Sequence, residues 1–234
     1  MSHPLAERMR SPDSDTRRKA CDEAAEDPAG ALLSGPLAET LGDADAAVAR
    51  AASRSLARIA RRAGGPDAAL REALRSDDPG RRVFAAFAFA EIEPAGPRIV
   101  PALVGGLAHA DGGARWHAAR LLVDAGRAHP EVFGMLLGLV GSDARASVRR
   151  MAAFCVRELA PDLPEAARTL VAATHDPDVH VRRAALTGLS GLMDPSDEVR
   201  RRLAAVHEAD PDETARRLAQ RALDLLDGPA QTMR

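Results

Sequence analysis

The sequence predicts an all-α protein, a right-handed α-α superhelix built from about seven helical hairpins. One short pattern returns at steps of 32, 33, 33, 34, 33 and 34 residues, and proline or glycine recurs between its copies. Aromatic residues make up only 3% of the chain, so the core must consist mostly of Ala, Leu and Val, which allow helices to pack closely. A fixed period of this length is typical of solenoids, whose units stack because none buries its apolar face alone.

The repeated pattern is clearest in the stretch Asp-Pro-Asp-Val-His-Val-Arg-Arg-Ala-Ala-Leu, residues 176–186. We number every repeat from the residue equivalent to Arg182, which is position zero. The seven equivalents are Arg17, Ala49, Arg82, Arg115, Arg149, Arg182 and Arg216.

Each repeat is expected to be a helix, a short turn and a second helix. Twelve residues before zero, a leucine predicts the apolar stripe of the first helix; these are Leu5, Leu37, Leu70, Leu103, Leu137 and Leu170. Four residues before zero, an aspartate is expected to cap the second helix, because its carboxylate can accept from free N–H groups there. These aspartates are Asp13, Asp45, Asp78, Asp111, Asp178 and Asp212. Apolar spacings of i, i+4, i+8 and i+11, as in Val181, Ala185, Leu189 and Leu192, then give the second helix one apolar face.

The connections and the ends complete the predicted array. Proline and glycine, as in Asp27-Pro28, Gly64-Gly65-Pro66 and His129-Pro130, are expected to end one hairpin and begin the next. We expect residues 1–227 to form a single solenoid domain with polar first and last repeats, and residues 228–234 to be a flexible tail.

An aspartate stands six residues before the arginine in Asp143/Arg149, Asp176/Arg182 and Asp210/Arg216, and residues 178–189 read Asp-x-x-Val-Arg-x-x-Ala-x-x-x-Leu. With these features the chain resembles the HEAT repeat superfamily, in the short bacterial form related to the phycobilisome-lyase HEAT-like repeats. The resemblance covers the chain from about Leu5 to Leu226. It implies that the Asp and Arg columns form a ladder of hydrogen-bonded pairs between neighbouring repeats. Superfamily members serve many purposes, so the resemblance implies the fold more than the function.

Composition and motifs argue against several other kinds of protein. The net charge of −2 is not that of a typical nucleic-acid binder, and Cys21 and Cys155 belong to no C-x-x-C pair, so we expect buried free thiols. The seven histidines show no metal-ligand spacing, and no phosphate loop or catalytic triad is evident. We therefore predict no enzyme, metal or cofactor. No apolar run is long enough to span a bilayer, so we expect a soluble, cytoplasmic protein without membrane association.

The candidate binding residues occupy positions one and five of the second helices. In such a solenoid the second helices are expected to line a concave surface, and these two positions lie one turn apart, away from the apolar face. They include the single tryptophan, flanked by phenylalanine one repeat to either side, among several arginines. An alternative is that these rings pack between helices. The candidates are Arg50, Arg54, Val83, Phe87, Trp116, Arg120, Arg150, Phe154 and Arg183.

Two functions follow from this surface. The first is a non-enzymatic scaffold or adaptor that binds an acidic or amphipathic segment of a protein partner, with tryptophan and arginine as anchors. The alternative is nucleic-acid binding, since the chain also resembles the HEAT-like alkylpurine DNA glycosylases. That resemblance implies a catalytic aspartate near a tryptophan. Here Arg120 stands one turn after Trp116, Asp124 stands two turns after it, and a second tryptophan is missing, so a binding protein without the catalytic carboxylate is expected.

Overall fold

A computed structural model describes residues 3–159, 163–192 and 196–227, and all regular secondary structure in these residues is helical. Fourteen α-helices form seven consecutive hairpins, and a 3-10 helix, Gly30–Leu33, precedes the third α-helix. The all-α repeat prediction is confirmed. The predicted tail, 228–234, lies outside the described residues. The helices are α1 Pro4–Arg8, α2 Ser14–Ala24, α3 Ser34–Thr40, α4 Ala46–Ala63, α5 Ala68–Ala73, α6 Pro79–Ile92, α7 Val100–Gly106, α8 Gly112–Ala128, α9 Pro130–Ser142, α10 Ala146–Leu159, α11 Pro164–Ala173, α12 Val179–Leu189, α13 Asp197–Ala209 and α14 Glu213–Asp227.

The contacts divide the chain into two compact units, Met1–Ala125 and Gly126–Arg234, with the boundary near the end of α8. In the first unit, the second helices α2, α4 and α6 pack on one another in order, and α3 packs against α5. In the second unit, α10, α12 and α14 pack in order, as do α9, α11 and α13. Each unit thus has a layer of first helices and a layer of second helices. The single domain expected over residues 1–227 stays a prediction.

The aspartate column caps the second helices, as predicted. Asp13 accepts from the N–H of Thr16 at 2.8 Å, and Asp178 accepts from the N–H of His180 at 2.8 Å. The same side-chain cap is made by Asp45, Asp78, Asp111 and Asp212. A second side chain fixes the same turn in every repeat. The side chain six residues before zero accepts a hydrogen bond from the backbone N–H of the residue four before zero. These acceptors, which fix the turn between the two helices, are Ser11, Asp43, Ser76, His109, Asp143, Asp176 and Asp210.

The leucine column is buried, with one error in register. Leu37, Leu70, Leu103 and Leu170 have no solvent exposure, and Leu5 is 8% exposed. Leu137, however, is only half-buried, and Leu136 takes the fully buried place. The step from repeat four to repeat five is 34 residues, so the buried leucine stands thirteen residues before zero there instead of twelve. The last repeat follows the other 34-residue step and shows the same shift, since Leu203, thirteen residues before Arg216, is fully buried.

Small residues let the two helices of a hairpin approach closely. A Cβ atom added to Gly106 would lie 2.8 Å from the Cβ of Ala118, so α7 and α8 touch where glycine is present. Gly64 has a left-handed φ of 83° and ends α4, with the N–H of Gly65 bonded to the carbonyl of Ala60 at 2.8 Å. Cys21 and Cys155 are buried free thiols, as expected.

Three of the arginines at position zero, Arg17, Arg149 and Arg182, form the expected pairs with an aspartate of the next repeat. Nε and Nη2 of Arg149 donate to the two carboxylate oxygens of Asp176 at 2.7 and 2.8 Å, and Arg182 binds Asp210 in the same way at 2.9 and 3.0 Å. In the first unit Arg17 and Asp43 repeat this geometry. Each of these pairs joins one repeat to the next, so they are structural links between repeats.

The third guanidinium nitrogen of the arginines at position zero holds the turn of its own repeat. Nη1 of Arg182 donates to the carbonyls of Asp176 and Pro177 at 3.1 and 3.3 Å. The same nitrogen binds the turn carbonyls in Arg17, Arg82, Arg115, Arg149 and Arg216. Hydrogen bonds from Arg149 hold the pKa of Asp176 below its usual value. The carboxylates of the ladder are therefore charged at neutral pH.

Candidate partner-binding residues

The nine candidate residues divide between the two units. Six lie in the first unit, on α4, α6 and α8, and three lie in the second, on α10 and α12. Whether they act together as a binding surface stays a prediction, and each group is described within its own unit.

Two of the candidates are buried, so their predicted exposure is wrong. Val83 is 2% exposed and Phe87 is 3% exposed, although both occupy outward positions in the repeat. Their helix, α6, packs against α3, α4, α5 and α7. Residues 83–90 read Val-Phe-Ala-Ala-Phe-Ala-Phe-Ala, which is apolar on every side, and such a helix is buried all round. Packing between helices, the alternative interpretation of the rings, is the correct one for Phe87.

The two candidate arginines of α4 lie beside carboxylates. Arg50 is 3.4 Å from an oxygen of Asp111, the residue that caps α8. Arg54 is 3.4 Å from an oxygen of Asp22 on α2. At these long distances the pairs are weak, but each guanidinium already has an acidic neighbour within its own unit.

Trp116 and Arg120 on α8 are the exposed pair. The Trp116 side chain is 52% exposed, and Arg120, one helical turn later, is also exposed. Within the part of the chain that the structure describes, Arg120 forms no ion pair. Arg115, the residue before Trp116, faces the turn instead and donates to the carbonyls of His109 and Ala110. Position one of α8 therefore presents a large aromatic surface beside a guanidinium available for binding.

His117 adds an aromatic support that the repeat pattern did not indicate. Its ring meets the ring of Phe87 edge to face, with the centroids 4.4 Å apart. Although part of the side chain is exposed, burial lowers the pKa of His117; Arg50 and Arg120 lower it further, against the opposing effect of Glu91. His117 is therefore neutral at neutral pH, and Arg120 carries the positive charge next to Trp116. No feature of the sequence distinguished this histidine, because its role depends on a ring from the neighbouring repeat.

The second unit holds Arg150, Phe154 and Arg183. Arg150 is half-buried and forms no ion pair with any residue that the structure describes. Phe154 is half-buried, and the guanidinium carbon of Arg157 lies 5.1 Å from its ring centroid. Arg183 donates to both oxygens of Asp212 at 2.9 and 2.6 Å, which lowers the pKa of Asp212 to about 2. Arg183 is thus a link between repeats six and seven.

Metal-binding clusters and membrane-spanning helices are both absent from the described residues. Across 3–159, 163–192 and 196–227, no group of three or more His, Cys, Asp or Glu side chains is placed to hold a metal ion. In the same residues, no helix combines the length and the apolar character needed to cross a membrane.

Comparison with known proteins supports the repeat assignment. Residues 135–224 match the family model for HEAT repeats. A HEAT-like repeats protein from the archaeon Thermococcus onnurineus NA1 is similar in structure, with 17% identity, 96% of each chain covered and a TM-score of 0.55. YibA of Escherichia coli is similar with 16% identity, 92% of this chain and 76% of that chain covered, and a TM-score of 0.59. These likenesses show the fold alone.

A designed armadillo repeat protein in complex with the peptide (KR)4 is also similar, with 17% identity, 95% of this chain and 98% of that chain covered, and a TM-score of 0.40. This similarity is too low for a comparison of binding surfaces. A search of the curated proteins finds no significant match.

Proposed function

Since the chain belongs to the HEAT repeat superfamily, we propose that it is a non-enzymatic scaffold or adaptor that binds an acidic or amphipathic segment of a partner protein. The observation that carries the proposal is the exposure of Trp116, at 52%, one helical turn from the exposed guanidinium of Arg120. Tryptophan and arginine are the residue types most enriched among those that dominate binding energy at protein interfaces.

The two side chains offer complementary chemistry. The indole of Trp116 presents a large apolar area at little cost in conformational entropy. Arg120 presents planar donors that match a carboxylate and can bind it in a bidentate manner. The edge-to-face contact of His117 with Phe87 packs the same helix, α8, against α6. A segment that buries an apolar side chain on Trp116 and places a carboxylate on Arg120 would use both residues.

The charges of the other candidates support an acidic partner and narrow the choice of anchors. Arg50, Arg54 and Arg183 each have a carboxylate neighbour within their own unit. Arg120 and Arg150 have none among the described residues, so a partner's carboxylate would not have to displace an existing one. We rank Trp116 with Arg120 first because both are exposed, whereas Arg150 is half-buried.

The test compares two double variants in affinity capture of the partner. The first variant is Trp116→Ala with Arg120→Ala. The control is Leu32→Ala with Arg62→Ala, which also removes one exposed apolar residue, Leu32 at 77% exposure, and one exposed arginine without an ion pair among the described residues. We expect the co-purifying protein to be lost in the first variant and kept in the control. Equal retention in both would contradict the assignment of this pair as the anchor.

Nucleic-acid binding is the alternative use of the same pair, because bases stack on exposed aromatic rings and arginine contacts phosphate. Asp124, exposed two turns after Trp116, is the carboxylate on α8 that a glycosylase-like reaction would require. A duplex bound in a strongly salt-dependent manner, with loss of binding in the Trp116→Ala, Arg120→Ala variant, would favour this alternative. Absence of any binding at low salt would exclude it.

A further inference from the structure

The first unit contains a cavity on the side of its first helices, away from Trp116 and Arg120. Its volume is about 470 Å³, which is within the range of pockets that bind small ligands or single side chains. It lies where α5, the end of α6 and the start of α7 meet. The lining residues are Arg71, Leu74, Arg75, Phe89, Arg98 and Pro101.

The charge of this cavity is one-sided. Three of its six lining residues are arginines, and none of the six is acidic. Arg71 lies on α5 and Arg75 two residues after its end, and both are exposed. Neither forms an ion pair within the part of the chain that the structure describes. A bound anion would supply the counter-charge that both arginines lack there.

The floor of the cavity is apolar. Phe89 has no solvent exposure, and the guanidinium carbon of Arg98 lies 5.9 Å from its ring centroid. Arg98 also lies 3.3 Å from Glu93, in an exposed pair that solvent weakens. Leu74 and Pro101 complete the apolar lining. The cavity therefore combines an apolar floor with a positively charged rim.

A neighbouring cavity of about 510 Å³ shares Arg75 with the first and has a different charge balance. It is lined by three acidic residues, Glu39, Glu72 and Asp77, and by one further arginine, Arg81. An acidic ligand is therefore favoured less there than on the side of Arg71 and Arg98. A carboxylate is thus expected beside the arginines of the first cavity.

We propose that the cavity formed by Arg71, Leu74, Arg75, Phe89, Arg98 and Pro101 binds an acidic peptide segment that carries a bulky apolar side chain next to its carboxylates. The apolar side chain lies on Leu74 and Pro101, which cover the buried ring of Phe89, and the carboxylates bind Arg71 and Arg75. This site is separate from Trp116 and Arg120, and it does not depend on the function proposed for that pair.

The experiment measures the fluorescence anisotropy of two labelled peptides, Glu-Glu-Leu-Phe-Glu-Glu and Glu-Glu-Ser-Ser-Glu-Glu. It uses the full chain carrying Trp116→Ala and Arg120→Ala, so that binding at that pair does not contribute. We expect the apolar peptide to bind at least tenfold more tightly than the serine peptide. Adding Arg71→Glu and Arg75→Glu should weaken its binding at least tenfold.

The matched control adds Arg62→Glu and Arg221→Glu instead, which reverse two exposed arginines outside the cavity that also lack ion pairs among the described residues. Binding should be unchanged, and circular dichroism should show the same helix content in both variants. Three results would overturn the proposal: no binding of the apolar peptide, equal binding of both peptides, or equal weakening by the cavity and control changes. The Trp116 proposal is unaffected by any of them, because that pair is absent from every protein in the experiment.

Discussion

Replacing Arg182 with alanine removes one ion pair between repeats and the hydrogen bonds that the same side chain makes to its own turn. The arginine donates to both oxygens of Asp210 at 2.9 and 3.0 Å and to the carbonyls of Asp176 and Pro177. Its side chain is 13% exposed and that of Asp210 is 5% exposed, so solvent cannot replace the lost donors well. The change therefore leaves a nearly buried carboxylate without its counter-charge.

The expected loss of stability is about 3 kcal/mol. Breaking a buried ion pair by removing one partner costs roughly 3 to 5 kcal/mol. The lower end applies here, because Asp210 still accepts from the N–H of Asp212 at 2.8 Å. Urea denaturation followed by circular dichroism gives the free energy of unfolding and its denaturant dependence for each variant.

Arg145→Ala is the matched control. Arg145 also binds a carboxylate through two nitrogens, that of Asp143 at 3.0 and 2.9 Å, but within a single turn and with 50% of its side chain exposed. Exposed pairs contribute about 0 to 1 kcal/mol. If Arg182→Ala cost no more than Arg145→Ala, the ladder would not link the repeats energetically, and the reasoning would be refuted.

Three further predictions follow from burial and charge. Leu136→Ala should lower the free energy of unfolding by about 3 kcal/mol and by clearly more than Leu137→Ala, since only Leu136 is fully buried; the reverse order in urea denaturation would contradict the register. Burial raises the pKa of both Cys21 and Cys155 to about 12, so neither thiol should react with a thiol reagent at neutral pH until the protein unfolds; rapid reaction of the native protein would argue against the packing. The pKa values of Asp43, Asp176 and Asp210 are lowered in the folded state, so the stability that they contribute is present above their unfolded values and is lost as the pH falls through the folded ones. Urea denaturation should thus give a lower free energy of unfolding near pH 3 than at pH 7, and equal values would be inconsistent with these charged links.

The features that recur in every repeat could be predicted from the sequence. The aspartate caps and the pairing of Arg149 with Asp176 depend on a fixed spacing within one short turn and on its copy in the next repeat. Such local geometry is set by the backbone of a hairpin, so its recurrence in most of the seven repeats makes it visible in the sequence. One extra residue between repeats four and five made the pattern wrong there, because the buried leucine is Leu136 and not Leu137.

The candidate site could be predicted only in part, because it depends on contacts between elements. The exposure of Trp116 agrees with its outward position in the repeat. Phe87 also occupies an outward position, but it is buried and packs against His117 of α8. Arg183 occupies an outward position yet binds Asp212 of the next repeat. Ion pairs and ring packing between neighbouring repeats decide which outward residues remain accessible. The spacing of the repeats does not reveal these contacts.

The fluorescence of Trp116 shows directly whether a bound partner covers this side chain. It is the only tryptophan in the chain and there is no tyrosine, so the emission reports this one side chain. On titration with the purified partner identified by affinity capture, we expect the emission to shift to shorter wavelength as the ring leaves water. We also expect at least tenfold weaker binding, about 1.4 kcal/mol, for Arg120→Ala. An emission spectrum that stays unchanged at saturating partner concentration would contradict the assignment of Trp116 as the binding anchor.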